Sequence, residues 1–194
     1  MLAPGDHVRV HRRRWGYPYT HHAIMFPGAQ IVEFAGSTAN KPAMRIERGA
    51  YEDFAKTDRV DVVNPPDHNP ALAMRRAEWL VECPPPRQYD GIGFNCEHVA
   101  RWCANGWETE SLQIRHKLFG ARAALIGTPL LFWLAYQKRT SQPIPRPVGA
   151  MMLTYSAWSI WTTSQYHNGI RHFVKHIREN CPPELRGPAS AGPA

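Results

Sequence analysis

The chain has 194 residues, 43% of them hydrophobic, and a formal charge of +7 at neutral pH. That length suits one domain with an extension and leaves ample chain for a hydrophobic core. Its four cysteines, with no signal-peptide pattern, argue against a disulfide framework and for free thiols in a reducing compartment. The positive charge calls for an anionic partner. With no zinc-finger or RNP pattern to accompany it, nucleic acid gives way to an anionic membrane surface.

Pro4-Gly5-Asp6 reads as a turn into His7-Val8-Arg9-Val10-His11, which alternates like a first strand. Arg12 to Tyr19 reads as a basic and aromatic loop: either a solvated connection or a rim that meets lipid headgroups or substrate. His21 to Phe26 and Gln30 to Phe34 form a hairpin around Pro27-Gly28-Ala29. A three-residue loop pairs Phe26 with Gln30 and puts Glu33 opposite Ala23, on the face of His21. A four-residue loop would give Glu33 to His22, because a one-residue slip exchanges the faces. The Pro-Gly-Ala loop favours the first register, with His21 as a base, Glu33 as its orienting partner and His22 as a structural residue.

Met44 to Glu47 is a short strand, Tyr51 to Ala55 a helical turn and Arg59 to Val63 a strand ended by Asn64-Pro65-Pro66. Asn69-Pro70 caps a helix to about Glu82, with Ala73, Ala77 and Leu80 on one face, and Cys83-Pro84-Pro85-Pro86 breaks it. Tyr89 to Phe94 is a glycine-loosened turn. Asn95 then caps a helix with apolar spacing through Val99, Ala100 and Cys103, stopped by Gly106.

Cys96 occupies the first turn of that helix. There the unpaired backbone N–H groups and the positive end of the helix dipole favour a thiolate, and could stabilise an oxyanion after attack on a carbonyl. Cys96 is therefore the candidate nucleophile. Cys103, two turns on and inside the helix, reads as a small core residue.

Gly5-Asp6-His7-Val8, His21-His22-Ala23-Ile24 and Asn95-Cys96-Glu97-His98-Val99-Ala100 together resemble the lecithin:retinol acyltransferase (LRAT) domain family of the NlpC/P60 superfamily. Ser111-Leu112-Gln113-Ile114 is similar to the stretch that follows the family's Cys helix. The resemblance spans roughly residues 4 to 116. Its motif is a His strand, a second polar residue twelve positions later and an Asn-Cys-Glu-His helix, met here by His21, Glu33 and Cys96. Two positions depart from the pattern: Glu33 stands where His is frequent, and Val99 where Phe is common. A carboxylate can still orient an imidazole and stabilise its charged form. His98, two positions from Cys96, reads as structural.

The resemblance implies an α+β fold, an antiparallel sheet packed with helices in a permuted papain-like core. It implies a cysteine-dependent acyltransferase or phospholipase working on ester-linked acyl lipids through a thioester. The roles implied are Cys96 as nucleophile, His21 as base and Glu33 as orienting residue, with no metal or organic cofactor. The partners implied are a phospholipid or other acyl lipid and a membrane surface, with no nucleic acid.

Residues 1–116 are expected to form the catalytic domain, 117–181 a hydrophobic, helical extension and 182–194 a disordered tail. In the extension, Leu118 to Tyr136 is apolar but holds Arg122 and Pro129. A Pro-rich linker from Gln142 to Pro147 precedes a second apolar stretch, Val148 to Thr163. Gln165 to Asn180 reads as a basic amphipathic helix. These segments suit either a buried helical subdomain or a membrane-associating region, and the expected location is cytoplasmic and membrane-associated. The rival readings are an NlpC/P60-like cysteine peptidase or amidase, a non-catalytic lipid- or protein-binding module, and a metal site from His21, His22, Cys96 and His98. The last fits no zinc spacing.

Overall fold

The structure, a computed structural model, describes residues 2–14, 17–35, 45–86, 94–106, 134, 138–139 and 146–187. In chain order the elements are β1 (His7–Arg14), β2 (Tyr17–Phe26), β3 (Gln30–Ala35), β4 (Arg45–Ala50), α1 (Tyr51–Ala55), β5 (Val60–Val62), α2 (Pro70–Glu82), α3 (Cys96–Asn105) and α4 (Arg146–Asn180), followed by a 3₁₀ turn (Pro183–Leu185). The five strands form one sheet in the order β4-β3-β2-β1-β5, and every described pair is antiparallel. The fold is α+β, an antiparallel sheet packed with helices, as the sequence implied.

Alternation decides which side chains meet which layer. On one face Ile24, Phe26, Val32, Phe34 and Ile46 form a continuous core with Ala73, Ala77 and Leu80 of α2 and Val99, Ala100 and Cys103 of α3. On the other, Val8, Val10, Ala23, Met25 and Ile31 surround Phe54 of α1. The β2–β3 hairpin has the three-residue register, Phe26 opposite Gln30 and Glu33 opposite Ala23. Its loop turns through positive φ at Gly28 (70°) and Ala29 (54°), and the Ala29 carbonyl is held by the Tyr51 N–H at 2.9 Å.

At the other end of β2 the chain differs from the expected loop. β1 and β2 stay paired from His11 opposite Thr20 to Arg14 opposite Tyr17. A two-stranded ribbon whose His11, Arg13 and Pro18 are exposed needs no apolar alternation, so hydrophobic patterning does not reveal it.

α2 begins as read: Asn69 Oδ1 accepts the Leu72 N–H at 3.1 Å, and Pro70 takes the first helical position, where its missing N–H costs nothing. The segments from Arg146 to Asn180, expected as separate pieces, are one helix of 35 residues. No proline follows Pro147, which lies in the first turn, and nothing in the sequence stops the helix before Pro182.

α4 joins the core of the sheet domain. Phe173 packs on Phe94 and Trp102 at centroid distances of 5.0 and 6.0 Å, and His176 Nε2 lies 2.9 Å from the Cys83 carbonyl oxygen. Residues 182–187, placed in the tail on sequence, carry the 3₁₀ turn that buries Leu185. Buried Arg76 clamps that turn to α3, donating to the Leu185 carbonyl at 2.7 Å and to the Cys103 carbonyl at 3.1 Å. Among the described residues no helix is long and apolar enough to cross a membrane. Leu118 to Tyr136 lies largely outside the described residues, as do Arg87 to Gly93 and Ser111 to Ile114.

Candidate active site

His21 and Glu33 share a sheet face because Ala23, two residues from His21, is the register partner of Glu33. Across the two strands Glu33 Oε2 meets His21 Nε2 in a charge-assisted hydrogen bond. The His21 and Glu33 side chains are 13% and 12% exposed, largely but not wholly shielded from solvent. Cys96, buried at the first position of α3, lies near enough to His21 to act on its charge. The structure thus brings all three expected site residues together, two from the hairpin and one from a helix start more than sixty residues later. The Phe54 ring backs His21 at 5.3 Å, a contact for which the sequence carries no local signal.

The electrostatics follow from these contacts. Burial acts to lower the His21 pKa. The negative charge of Cys96 and its hydrogen bond, with the hydrogen bond and charge of Glu33, outweigh burial and raise it to about 9. His21 is therefore set up to exist as imidazolium beside Cys96. With Nε2 taken by Glu33, its Nδ1 remains for exchanging a proton with the sulfur.

The first turn of α3 is more committed than expected. Asn95 Oδ1 accepts from both the Glu97 N–H (3.0 Å) and the His98 N–H (3.2 Å), and the Val99 N–H reaches the Asn95 carbonyl at 3.4 Å. The reciprocal bond comes from His98, whose Nδ1 accepts the Asn95 N–H at 3.1 Å, completing a capping box. Of the N–H groups at the helix start, those of Asn95, Glu97 and His98 are thus engaged. Among the described residues the N–H of Cys96 itself has no partner, and it is the donor that adjoins the sulfur. His98 is structural, as read, although the usual Glu or Gln signature of this motif is missing from the sequence.

His22 points away from this site. On the opposite sheet face its Nδ1 lies 2.9 Å from His7 Nε2, and its Nε2 lies 2.9 Å from Thr20 Oγ1. Burial, then the charges of Arg101, His68 and Arg9, lower the His7 pKa to about 3; burial and the neighbouring charges of His7, His21, Arg9 and Arg101 push His22 well below its usual value. His21 and His22 therefore diverge. Among the described residues no group of three or more His, Cys, Asp or Glu side chains could hold a metal ion. Cys103 is fully buried, and burial pushes its thiol pKa well up, which keeps it a neutral core thiol.

Comparison with known families decides the relationship. The family model described as lecithin retinol acyltransferase matches residues 1–109, which hold the whole sheet, α2 and α3. The chain belongs to the lecithin retinol acyltransferase family. No curated protein matches it. The matched span ends three residues beyond the Gly106 cap of α3, so α4 lies outside it while packing into the same core. The family is one of acyltransferase- and phospholipase-type thiol enzymes.

Proposed function

We propose that this family member is a cysteine-dependent acyltransferase or phospholipase that cleaves ester-linked acyl lipids through a thioester, with Cys96 as nucleophile, His21 as general base and acid, and Glu33 as the residue that orients His21. The observation that carries this reading is the position of His21, bound to Glu33 across the strands and near enough to buried Cys96 at the start of α3 for that residue to raise its pKa. In the sequence the His strand precedes the Cys helix. Papain-like proteases have the opposite order, which suits a permuted version of that core.

In the first half-reaction His21 accepts the thiol proton and the Cys96 sulfur adds to the ester carbonyl carbon. The oxyanion that forms is stabilised by the Cys96 N–H at the positive end of α3. Collapse breaks the ester C–O bond, the alcohol leaves with the proton from His21, and an acyl thioester remains on Cys96. Water, an alcohol or an amine then attacks this thioester after giving its proton to His21, and the thiolate is released. Water makes the protein a phospholipase; an amine or alcohol acceptor makes it a transferase. Neither half-reaction needs a metal or organic cofactor.

Membrane-surface association belongs to the same reading. Trp158, Ile160 and Trp161 of α4 are 44%, 71% and 55% exposed, an apolar and aromatic patch suited to the lipid interface.

Intact-mass spectrometry after incubation with phosphatidylcholine tests the proposal. Wild-type protein gains one acyl group, and Cys96→Ala and His21→Ala do not. If no adduct forms and an alkylating probe labels Cys96 no faster than buried Cys103, the thiol is not activated and the enzymatic reading fails.

A further inference from the structure

Arg45 and Glu47 of β4 stand beside the His21–Glu33 pair and have no part in the mechanism above. Glu33 is the register partner of Glu47, and Ala35 that of Arg45. Side chains alternate along a strand, so Arg45 and Glu47 share the sheet face of Glu33 and His21. The other arginine of β4, Arg48, lies on the opposite face, where its Nη2 donates to Glu78 of α2 at 2.6 Å. Exposure rises outward along the row: the side chains of Glu33, Glu47 and Arg45 are 12%, 32% and 78% exposed.

Carboxylates directly opposite each other on neighbouring strands repel, and these two turn apart along β4. Glu47 Oε2 accepts a hydrogen bond from Arg45 Nε, two residues before it on the strand. Glu33 Oε1 leans the other way, over Gly49, where a Cβ would lie 3.5 Å from it. Glu33 Oε2 is the oxygen that meets His21 Nε2. Two ion pairs result, His21–Glu33 and Arg45–Glu47, with their carboxylates at adjacent positions of the sheet. Exposed ion pairs contribute little to stability, so holding β4 in place does not account for the second pair.

Arg45 has two carboxylates in range. Diagonal neighbours on adjacent strands are about 7–8 Å apart, within reach of a long side chain, and Arg45 is the diagonal neighbour of Glu33. A guanidinium carries its charge at every working pH and presents a fork of N–H donors that matches a carboxylate, so on Glu33 it competes with the imidazole. We propose that Glu47 is a positioning residue: by occupying Arg45 it reserves the Glu33 carboxylate for His21. The inference rests on the role given to Glu33 in the proposed reaction and adds the residue that secures it. His21 is affected only through Glu33.

The test follows the His21 ring through a pH titration by NMR of the full-length protein, isotope-labelled at histidine, with the His21 signals assigned by their loss in His21→Gln. The wild-type midpoint is expected at about 9. Glu47→Gln frees Arg45 and should lower the midpoint by about half a pH unit, a threefold loss of proton affinity. Adding Arg45→Gln to that variant should restore the wild-type value. In a Glu33→Gln background, Glu47→Gln should shift nothing. An unchanged or raised midpoint in Glu47→Gln would overturn the inference. So would an equal drop in the Glu33→Gln background, which would mean that the charge of Glu47 acts on His21 directly. Failure of Arg45→Gln to restore the midpoint would also overturn it, because no rival cation would then be involved. The titration needs no turnover, so failure of the enzymatic reading appears separately, as the absence of an acyl adduct on Cys96.

Discussion

His7 and His22 are hydrogen-bonded ring to ring, Nε2 to Nδ1 at 2.9 Å, on the sheet face opposite the His21–Glu33 pair. One strand therefore carries two adjacent histidines with opposite electrostatic fates. His21 is stabilised as a cation by Glu33 and Cys96; His22 is kept neutral by burial beside His7, with Arg9 and Arg101 also nearby. Alternation alone separates them, which is why the hairpin register matters so much to the chemistry.

The buried pair predicts acid sensitivity. Both pKa values are lowered on folding, so the unfolded chain binds more protons than the folded one between about pH 6.5 and, for His7, about pH 3. Stability is full above pH 6.5 and falls as pH drops through that window, by about 1.4 kcal/mol per pH unit for each histidine involved. Urea unfolding at a series of pH values measures the slope. His22→Asn should remove about one proton's worth of it, and an unchanged slope would mean that the pair is not held neutral.

The His21–Glu33 pair has the opposite sign. A His21 pKa raised to about 9 gives stabilisation that is present below pH 6.5 and lost as pH rises through about 9. The same proton is needed by the leaving alcohol, so activity should fall on the alkaline side with a limb near 9. Glu33→Gln removes the charge of one of the groups that raise His21. The limb should move to lower pH and kcat should drop about ten- to a hundredfold, the scale for a misoriented or weakened general base. A pH–rate profile of the variant that overlays the wild type would remove Glu33 from the site.

Much of this was legible because local chemistry fixes it. Phe26 opposite Gln30 follows from a Pro-Gly-Ala loop, and the limits of α2 and α3 follow from Asn69, Asn95 and Gly106. What was not legible depends on contacts distant in sequence. The His98 half of the capping box replaces a Glu or Gln signature with a ring nitrogen. The Phe54 wall behind His21 and the His7–His22 pair exist only once the sheet is assembled. The far end of the β1–β2 ribbon escaped because His11, Arg13 and Pro18 face solvent, where a strand and a polar loop have the same composition.

Asn95 gives a third prediction. Its carboxamide oxygen binds two N–H groups at the start of α3, so Asn95→Ala removes that half of the capping box at a buried position and leaves only the His98 bond to the residue's own N–H. The expected cost is about 1–2 kcal/mol of stability, measured by chemical denaturation. Asn95→Asp keeps the acceptor oxygen and should recover most of it. Activity should track the cap, because Cys96 is the next residue and its N–H is the oxyanion donor in the proposed mechanism.

Phe173 tests whether α4 is an appendage or part of the catalytic core. Its ring is buried between Phe94 and Trp102, so it shares a cluster with the sheet face, α2 and α3. Phe173→Ala should therefore cost about 3–5 kcal/mol, the scale for emptying a packed aromatic site. The loss should appear in a single unfolding transition followed identically by far-UV dichroism and tryptophan fluorescence. Trp161→Ser, on the exposed side of the same helix, should leave stability within about 0.5 kcal/mol while reducing binding to anionic vesicles. Two separate transitions, with Phe173→Ala shifting only one, would make α4 an independent unit. One shared transition makes residues beyond the matched family span a structural requirement for holding Cys96 against His21.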